Sequence, residues 1–490
     1  MSRRRRAPSH GQRRESGIIL VLAMFVIVLL LVIVPQFCFS AHVERELALN
    51  EVAELQMEAL ARAAILRAQA GLLVDLEDDK NSESEDDPLG GAGGGGAAGG
   101  AGGAGGAGGA GGGGADPNGA GNHVDSLDEP WASAGFDFML GEEAQLRTRI
   151  DVTDEDGKLN LLLLAVEDPD YRKEWRARFE RCLDLMRDGQ PDDLSLSDAT
   201  ELLDRMERWM RGERGNDELA TPALQTGDWK NGTGTQTFAP FSLAEFALAG
   251  GLPTRLLTGF EVGDDPDDRK WIPGLAQGLT VWSNLEWKDL AAEAEKGPAD
   301  VSNQQQARPE AQGVNNGRIN INTAPIWVLK SLFPDSEIPY SAWDEFETFR
   351  REALDEIKKK REEARDGEER DADGPPDPDD KTAKYPLKTI DDLRKIDGFT
   401  TDSSALTPAK WDKLAMLLSV ESNVFTITVS IATLEPPVRY YVARAVVWRR
   451  SQGGGDPRCL PIVPFERVGV GTVDLREFAK QVEEESAATY

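Results

Sequence analysis

Histidine is scarce in this chain of 490 residues, and its scarcity excludes whole classes of chemistry. The three histidines are His10, which precedes an apolar segment, His42, which adjoins that segment, and His123, which lies in a glycine-rich stretch. A Ser-His-Asp triad or a histidine-based zinc site in the folded body is therefore excluded. The sequence also lacks a Walker loop and a G-x-S-x-G motif, so we do not expect an enzyme.

Cysteine and basic residues are limited too. Cys38 falls in the apolar segment, so at most one disulfide, between Cys182 and Cys459, could cross-link the folded body. The 55 basic residues are outnumbered by 86 acidic ones, which gives a net charge of −31. Such a charge repels phosphates, and it excludes general nucleic-acid binding through a basic surface. The fold is expected to depend on its apolar core.

A long uncharged run, residues 18–39, follows a basic leader, residues 1–17. A helix of this length spans about 33 Å, enough for a hydrocarbon layer of about 30 Å. The arginines before it and the acids after it orient the N-terminus toward the cytoplasm. Apolar residues then recur at three- and four-residue spacing, which predicts one long helix over 18–76 that spans the membrane at 18–39. The alternative is a cleaved secretory signal peptide.

The rest of the chain predicts an α+β body with insertions. Residues 77–130 are acidic and glycine-rich, which is typical of a flexible linker. The segments predicted after it are 131–155, the first part of an antiparallel sheet; 156–275, a first helical domain; 276–315, a strand and loop; 316–415, a second helical unit with a charged insert at 341–381; and 416–490, C-terminal strands and an acidic tail.

Some elements can be placed more closely. Alternation predicts a strand from Leu146 to Val152. The spacing of apolar residues predicts a helix over 326–332, with Thr323 as its N-cap and Pro325 in its first turn. Two alternating strands on either side of Pro436-Pro437 predict an antiparallel hairpin.

Two stretches share a pattern of glycine, basic, apolar, asparagine and apolar residues. They are EDGKLNLLLL at 155–164 and GRININTAPIWVL at 317–329. The pattern indicates an internal duplication, in which each copy leads into a short helical unit. The second copy resembles the opening of SAM-like and helix-hairpin-helix units. Acidic residues follow Leu332 where nucleic-acid-binding members have a glycine-rich hairpin, so DNA binding is disfavoured.

The leader ends RRESG, and the apolar run begins at once with Ile18. This junction resembles the leader of type IV pilins and type II secretion pseudopilins, in which a prepilin peptidase cuts after the glycine and methylates the new N-terminus. The resemblance makes Gly17 and Ile18 the processing site. Most members carry glutamate at the fifth mature position, where Leu22 stands here. The minor pseudopilin K of type II secretion also lacks that glutamate, and it resembles this chain at LLDRMERWM, SLAEFALAGGL, LTVWSN and GRININTAP.

The resemblance to pseudopilin K implies a fold, a place and a function. The fold is a long N-terminal helix and a pilin-like antiparallel sheet with a large SAM-like helical domain, duplicated in part, inserted between its strands. The place is the bacterial inner membrane, crossed once, with the C-terminal domain in the periplasm. The function is to cap the tip of the pseudopilus and help initiate its assembly for protein export. The implied partners are I- and J-type minor pseudopilins, the prepilin peptidase and the inner-membrane secretion platform.

An alternative reading is a membrane-anchored periplasmic adaptor whose helix-hairpin-helix-like units bind protein or DNA. Calcium is the one cofactor that the resemblance suggests, because pseudopilin K proteins can bind it in the globular region. Asp151, Asp154 and Asp156 crowd one turn and are the predicted calcium ligands, since Ca²⁺ prefers several converging oxygens. Solvated surface turns would give the same clustering in so acidic a chain.

Overall fold

The computed structural model describes residues 12–85, 124–132, 138–139, 146–166, 168–186, 194–210, 228–230, 236–238, 242–245, 254–262, 270–283, 285–288, 310–314, 317–365, 385–399, 407–433, 438–450 and 458–473. The chain divides into two compact units, Met1–Arg62 and Ala63–Tyr490.

The described helices and strands follow one another along the chain as listed next. The α-helices are α1 (Gln12–Glu85), α2 (Pro169–Met186), α3 (Leu196–Met210), α4 (Thr254–Thr258), α5 (Ile326–Leu332), α6 (Tyr340–Arg365) and α7 (Pro408–Leu417). Short 3-10 helices cover Leu161–Ala165, Leu275–Gln277, Ile390–Lys395 and Asp397–Phe399. The strands are β1 (Phe138–Met139), β2 (Leu146–Asp154), β3 (Leu159–Asn160), β4 (Asp228–Lys230), β5 (Gln236–Phe238), β6 (Gly259–Val262), β7 (Lys270–Pro273), β8 (Leu279–Thr280), β9 (Leu285–Lys288), β10 (Glu310–Val314), β11 (Ile319–Asn320), β12 (Leu418–Ser419), β13 (Val424–Thr433), β14 (Val438–Arg450) and β15 (Arg458–Val473).

Helix α1 is longer than the sequence predicts. It continues through Pro35 and ends at Glu85 rather than at residue 76. Its stretch Leu20–Glu77 is long and apolar enough to cross a membrane, judged by length and composition among the described residues. The extension past residue 76 consists of acidic and polar residues. It has no apolar face, and apolar periodicity therefore did not predict it.

The second unit contains a five-stranded sheet in the order β1-β2-β13-β14-β15, with antiparallel neighbours throughout. Residues on one face of β13 and β14 are buried, as their alternating sequences predict. Strands β2 and β13 are adjacent, with Asp154 opposite Phe425, although some 270 residues separate them along the chain. The intervening chain leaves the sheet and returns to it at one end. The predicted α+β class, with a long N-terminal helix, is therefore confirmed.

The inserted helical part has one shared hydrophobic core rather than a core for each predicted unit. Trp175 and Phe179 of α2 belong to the same buried cluster as Leu329 of α5 and Trp343 of α6. Helix α2 packs against both α3 and α5. A pair of short units that each expose one apolar face gains more by covering the other than by closing separately.

Part of the predicted charged insert 341–381 is core. Trp343, Phe346, Arg350 and Ala353 of α6 are buried at three- and four-residue spacing. The abundance of Glu, Lys and Arg on the other face conceals this stripe in the sequence. The first half of α6 is therefore part of the helical core, and the prediction that the whole of 341–381 is a charged insert is wrong for it.

The end of the predicted linker 77–130 is also packed. Asp125 and Ser126 are fully buried, and the ring of Trp131 lies edge-on to Phe425 of β13 with centroids 5.1 Å apart. Polar side chains here are buried because protein groups satisfy their hydrogen bonds, which a compositional argument does not reveal.

Cys182 and Cys459, between which at most one disulfide could form, are not bonded to each other. Cys182 is buried in α2 and Cys459 lies half-buried in β15, and both are free thiols. Burial raises the pKa of the Cys459 thiol to about 12.

Candidate functional site: the long helix and a buried polar junction

The first part of α1 presents an apolar surface on every side. From Leu20 to Phe39 its side chains are exposed, and Leu22, at the position where pilins carry glutamate, is 64% exposed. Gly17 and Ile18 fall inside α1, and their exposure lies outside what the structure describes. A helix that is apolar all round is typical of a membrane span.

The later part of α1, within the second unit, has a different surface. Ala64, Ile65, Ala68, Leu72 and Leu76 are buried, at three- and four-residue spacing. This spacing places them on one helix face, as in an amphipathic helix packed on a folded body. The helix thus changes from uniformly exposed to one-sided along its length.

Arg449, at the end of β14, attaches this part of α1 to the sheet. Its side chain is fully buried. One guanidinium nitrogen donates to the carbonyl of Leu72, at 3.4 Å, and to the carboxylate of Asp75, at 3.0 Å. The other donates to the carboxylate of Asp125 and to the carbonyl of Ser422, the latter at 3.0 Å. One side chain therefore joins α1, the segment around Asp125, and the loop that precedes β13.

Three carboxyl groups surround this guanidinium. Asp75, Asp125 and Glu129 have oxygens within 4.8 Å of one another. Burial, together with the negative charges of Asp125 and Asp75, raises the pKa of Glu129 to about 11, so this group is protonated at neutral pH. The indole of Trp131 also donates to Glu129. The cluster therefore holds three carboxyl groups, of which Glu129 is protonated, and one guanidinium.

Carboxyl groups at this spacing can hold a divalent cation, so we tested their fit to calcium. Ca²⁺ takes six to eight oxygen ligands. Here the oxygens of Asp75 and Asp125 already accept hydrogen bonds from Arg449, which brings a positive charge to the same point. A fixed cation inside the ligand set opposes a second one, so this donor set does not fit calcium.

The predicted calcium ligands, by contrast, have other partners. Asp151 lies on β2 and pairs with Arg149, with the Nε and carboxylate oxygen 2.9 Å apart. Asp156 accepts hydrogen bonds from the backbone N–H groups of Asn423, at 2.6 Å, and Val424, at 3.2 Å. Among the described residues, Asp151, Asp154 and Asp156 do not converge on one point. Calcium binding by this chain stays a prediction.

Asp154, the last residue of β2, is fixed by polar groups of the inserted part. Its carboxyl accepts hydrogen bonds from the hydroxyl of Ser422, at 2.5 Å, from the hydroxyl of Thr323, and from the amide of Asn320, at 3.4 Å. Burial, and next the negative charge of Asp156, raise the pKa of Asp154 to about 7. Asp154 therefore links the end of β2 to the second helical unit by hydrogen bonds.

The two helical units repeat the same buried construction. Strand β3 pairs in parallel with β8, with Leu159 opposite Leu279, and β11 pairs in parallel with β12, with Ile319 opposite Leu418. The sequences from the second strand of each pair are LTVWSN at 279–284 and LSVESN at 418–423. These matched pairs support the predicted internal duplication.

A buried asparagine occupies the same place in each unit. The amide of Asn160 donates to the carbonyl of Ser283, and the amide of Asn320 donates to the hydroxyl of Ser422, at 2.7 Å. Each asparagine also accepts a hydrogen bond from the backbone two residues later, at 2.9 Å. Within the described part of the chain, Asn320 alone has further partners, the carboxyl of Asp154 and the carbonyl of Asp125. The two units are therefore joined to the sheet differently: Asn320 of the second unit donates to Asp154 of β2, whereas Thr280 of the first donates to Glu155, which also accepts from Thr426 of β13.

Sequence reasoning missed Arg449, Asp125 and Glu129. Their roles depend on partners far away along the chain, and a strand-end arginine is normally solvated. The signal that was present is the repeat of LTVWSN as LSVESN, which marks the serine and asparagine neighbours of the junction.

Comparison with known proteins yields a similarity to solved structures. No protein-family model matches the chain, and no curated protein matches it. Among solved structures the chain is similar to a chain in the crystal structure of the GspK-GspI-GspJ complex from the type 2 secretion system of enterotoxigenic Escherichia coli. The identity is 14%, the match covers 72% of this chain and 87% of that one, and the TM-score is 0.34. Values this low do not place the chain in a family.

Proposed function

We propose that this chain is a minor pseudopilin of the K type, which caps a periplasmic pseudopilus and helps initiate its assembly for protein export. The observation that carries the proposal is the form of α1. One continuous helix begins in a basic leader, contains an uncharged apolar segment, and ends with one buried face on the folded body. Such a helix is suited to storage in a membrane and to packing against other helices after extraction.

Leu22 favours a position at the end of a filament. In the related pilins a glutamate at this position pairs with the terminal amine of a neighbouring subunit during assembly. A leucine side chain offers no negative charge to an ammonium group. A subunit that cannot form this pair is suited to the end of a filament, where it has a neighbour on one side only.

The inserted helical part supports a capping role. It enters and leaves the sheet between the adjacent strands β2 and β13, so its bulk is added without breaking the antiparallel order. A body of this size would obstruct the addition of another subunit above it. The role is mechanical, and Gly17 and Ile18 are the processing site that prepares the helix for it.

The proposal predicts a complex with I- and J-type minor pseudopilins and a transient contact with the inner-membrane secretion platform. The full chain would be produced in detergent together with the I- and J-type proteins from the same genome, and analysed by size exclusion with light scattering. A stable complex that contains one copy of this chain is expected. A matched sample with the major pseudopilin of the same system should not form it. If the chain elutes alone in every mixture, tip placement is wrong, and a membrane-anchored adaptor becomes the better account.

A further inference from the structure

The contact between the later part of α1 and the folded body has two chemically different components. The first is the apolar face formed by Ala64, Ile65, Ala68, Leu72 and Leu76. Apolar burial is roughly proportional to area and has no preferred direction. A face of small and aliphatic side chains therefore resists separation from the body far better than it resists a shift along the helix axis.

The second component is directional. Arg449 donates to the carbonyl of Leu72 and the carboxylate of Asp75, which lie one turn apart on α1. Its second nitrogen is held by Asp125 and by the carbonyl of Ser422. Charge-assisted hydrogen bonds of a planar guanidinium are strong and fix orientation as well as distance. A shift of one helical turn, about 5.4 Å, would break both bonds to α1 at once.

The site of Arg449 also meets the junction of the inserted part. Asp125, which accepts from Arg449, also accepts from the backbone N–H of Ser422 at 2.7 Å. Ser422 in turn donates to Asp154 at the end of β2. The hydrogen bonds of Arg449 therefore continue without interruption into the network that ties the second helical unit to the sheet.

We propose that Arg449 is the positioning residue that fixes the axial register of α1 against the folded body. In a helix that is pulled from a membrane during assembly, force along the axis reaches the head through this residue rather than through the apolar face. This purpose rests on the proposed function, whereas the register itself is a property of the isolated chain. The register can therefore be measured whether or not the pseudopilin proposal holds.

A disulfide reports the register directly. The thiol of Cys459 on β15 lies 3.7 Å from the backbone oxygen of Gln69 on α1. The full chain in detergent, with Cys38→Ala to remove the exposed thiol, would carry either Gln69→Cys or Leu73→Cys, one turn further along. After mild oxidation, peptide mass spectrometry would quantify the bond to Cys459. Because a fixed register holds the two positions at different distances from Cys459, we expect the bond at one of them to exceed the bond at the other by tenfold or more with Arg449 present.

Replacement of Arg449 should remove this selectivity. In Arg449→Met the ratio of the two bonds is expected to fall at least fivefold. Arg444→Met is the matched control, since Arg444 lies on the same strand in a half-exposed ion pair with Glu466 and should keep the wild-type ratio. If Arg449→Met does not fold, Arg449→Lys retains the charge but cannot hold both groups of α1, and an intermediate ratio is expected. A wild-type ratio in either folded Arg449 variant would overturn the proposal.

Discussion

Replacing Asn320 with alanine tests the asymmetry between the two repeated units, because Asn160 provides a matched comparison inside the same chain. Both side chains are fully buried. Both substitutions leave a backbone N–H and an acceptor of the following loop without their amide partner. We expect both to destabilise the fold, and Asn320→Ala to destabilise it more.

The size of the difference follows from the additional partners. Asn320 donates to the carbonyl of Asp125 at 3.0 Å and to the carboxyl of Asp154 at 3.4 Å, beyond the contacts that the two units share. A neutral hydrogen bond contributes about 0.5–1.5 kcal/mol, and one to a charged group about 1.5–3 kcal/mol. The bond to Asp154 is long and belongs near the lower limit. Asn320→Ala should therefore cost about 2–3 kcal/mol more than Asn160→Ala.

The assay is urea unfolding of the full chain at fixed detergent concentration, followed by tryptophan fluorescence. Unfolding free energies are compared only if their slopes against urea concentration agree between variants, because a changed slope signals a loss of two-state behaviour. Adding Asp154→Asn to both variants should narrow the difference between them. If Asn160→Ala is equally or more destabilising, the second unit is not tied to the sheet through Asn320, and the reasoning fails.

Two further predictions concern single positions. Because the pKa of Asp154 is raised from 3.8 to about 7, its contribution to stability is full below about pH 4 and lost as the pH rises through 7. The free energy of unfolding, measured from pH 4 to 8, should therefore decline less for Asp154→Asn than for the wild type. Asp151→Asn, on the same strand, should follow the wild type. A Cβ added at Gly317 would lie 2.4 Å from the Trp175 ring, so Gly317→Ala should destabilise the core by about 1–3 kcal/mol. Gly71→Ala on α1, where nothing lies within 4 Å, should be neutral or stabilising by up to about 1 kcal/mol, and equal effects of the two glycine substitutions would contradict the packing described.

Local patterns predicted the elements whose burial follows a simple period. The helix at 326–332 and the hairpin of β13 and β14 were predicted because their apolar residues recur at helical or alternating spacing. Alternation also placed β2, although the strand extends two residues further to Asp154.

The junction could not be predicted in the same way. Thr323 reads as a helix cap, but Pro325 takes that position and the hydroxyl of Thr323 donates to Asp154. A side chain with a local partner and a distant one available gives no sign in the sequence of which it will use. Arg449 presents the same difficulty, since its burial depends on carboxyl groups contributed by α1 and by the end of a presumed linker. Periodicity reports which residues are apolar on one face, and it does not report which polar groups meet.

The central claim is that α1 is a processed assembly helix, and the mass of the mature N-terminus tests it most directly. The full chain would be produced in a host with an active prepilin peptidase, and its N-terminal peptide would be sequenced by mass spectrometry. The account predicts a chain that begins at N-methylated Ile18, that is no longer processed in Gly17→Leu, and that is still processed in the matched leader variant Gly11→Leu. An intact Met1, or an N-terminus near Ala41 as left by a signal peptidase, would contradict it.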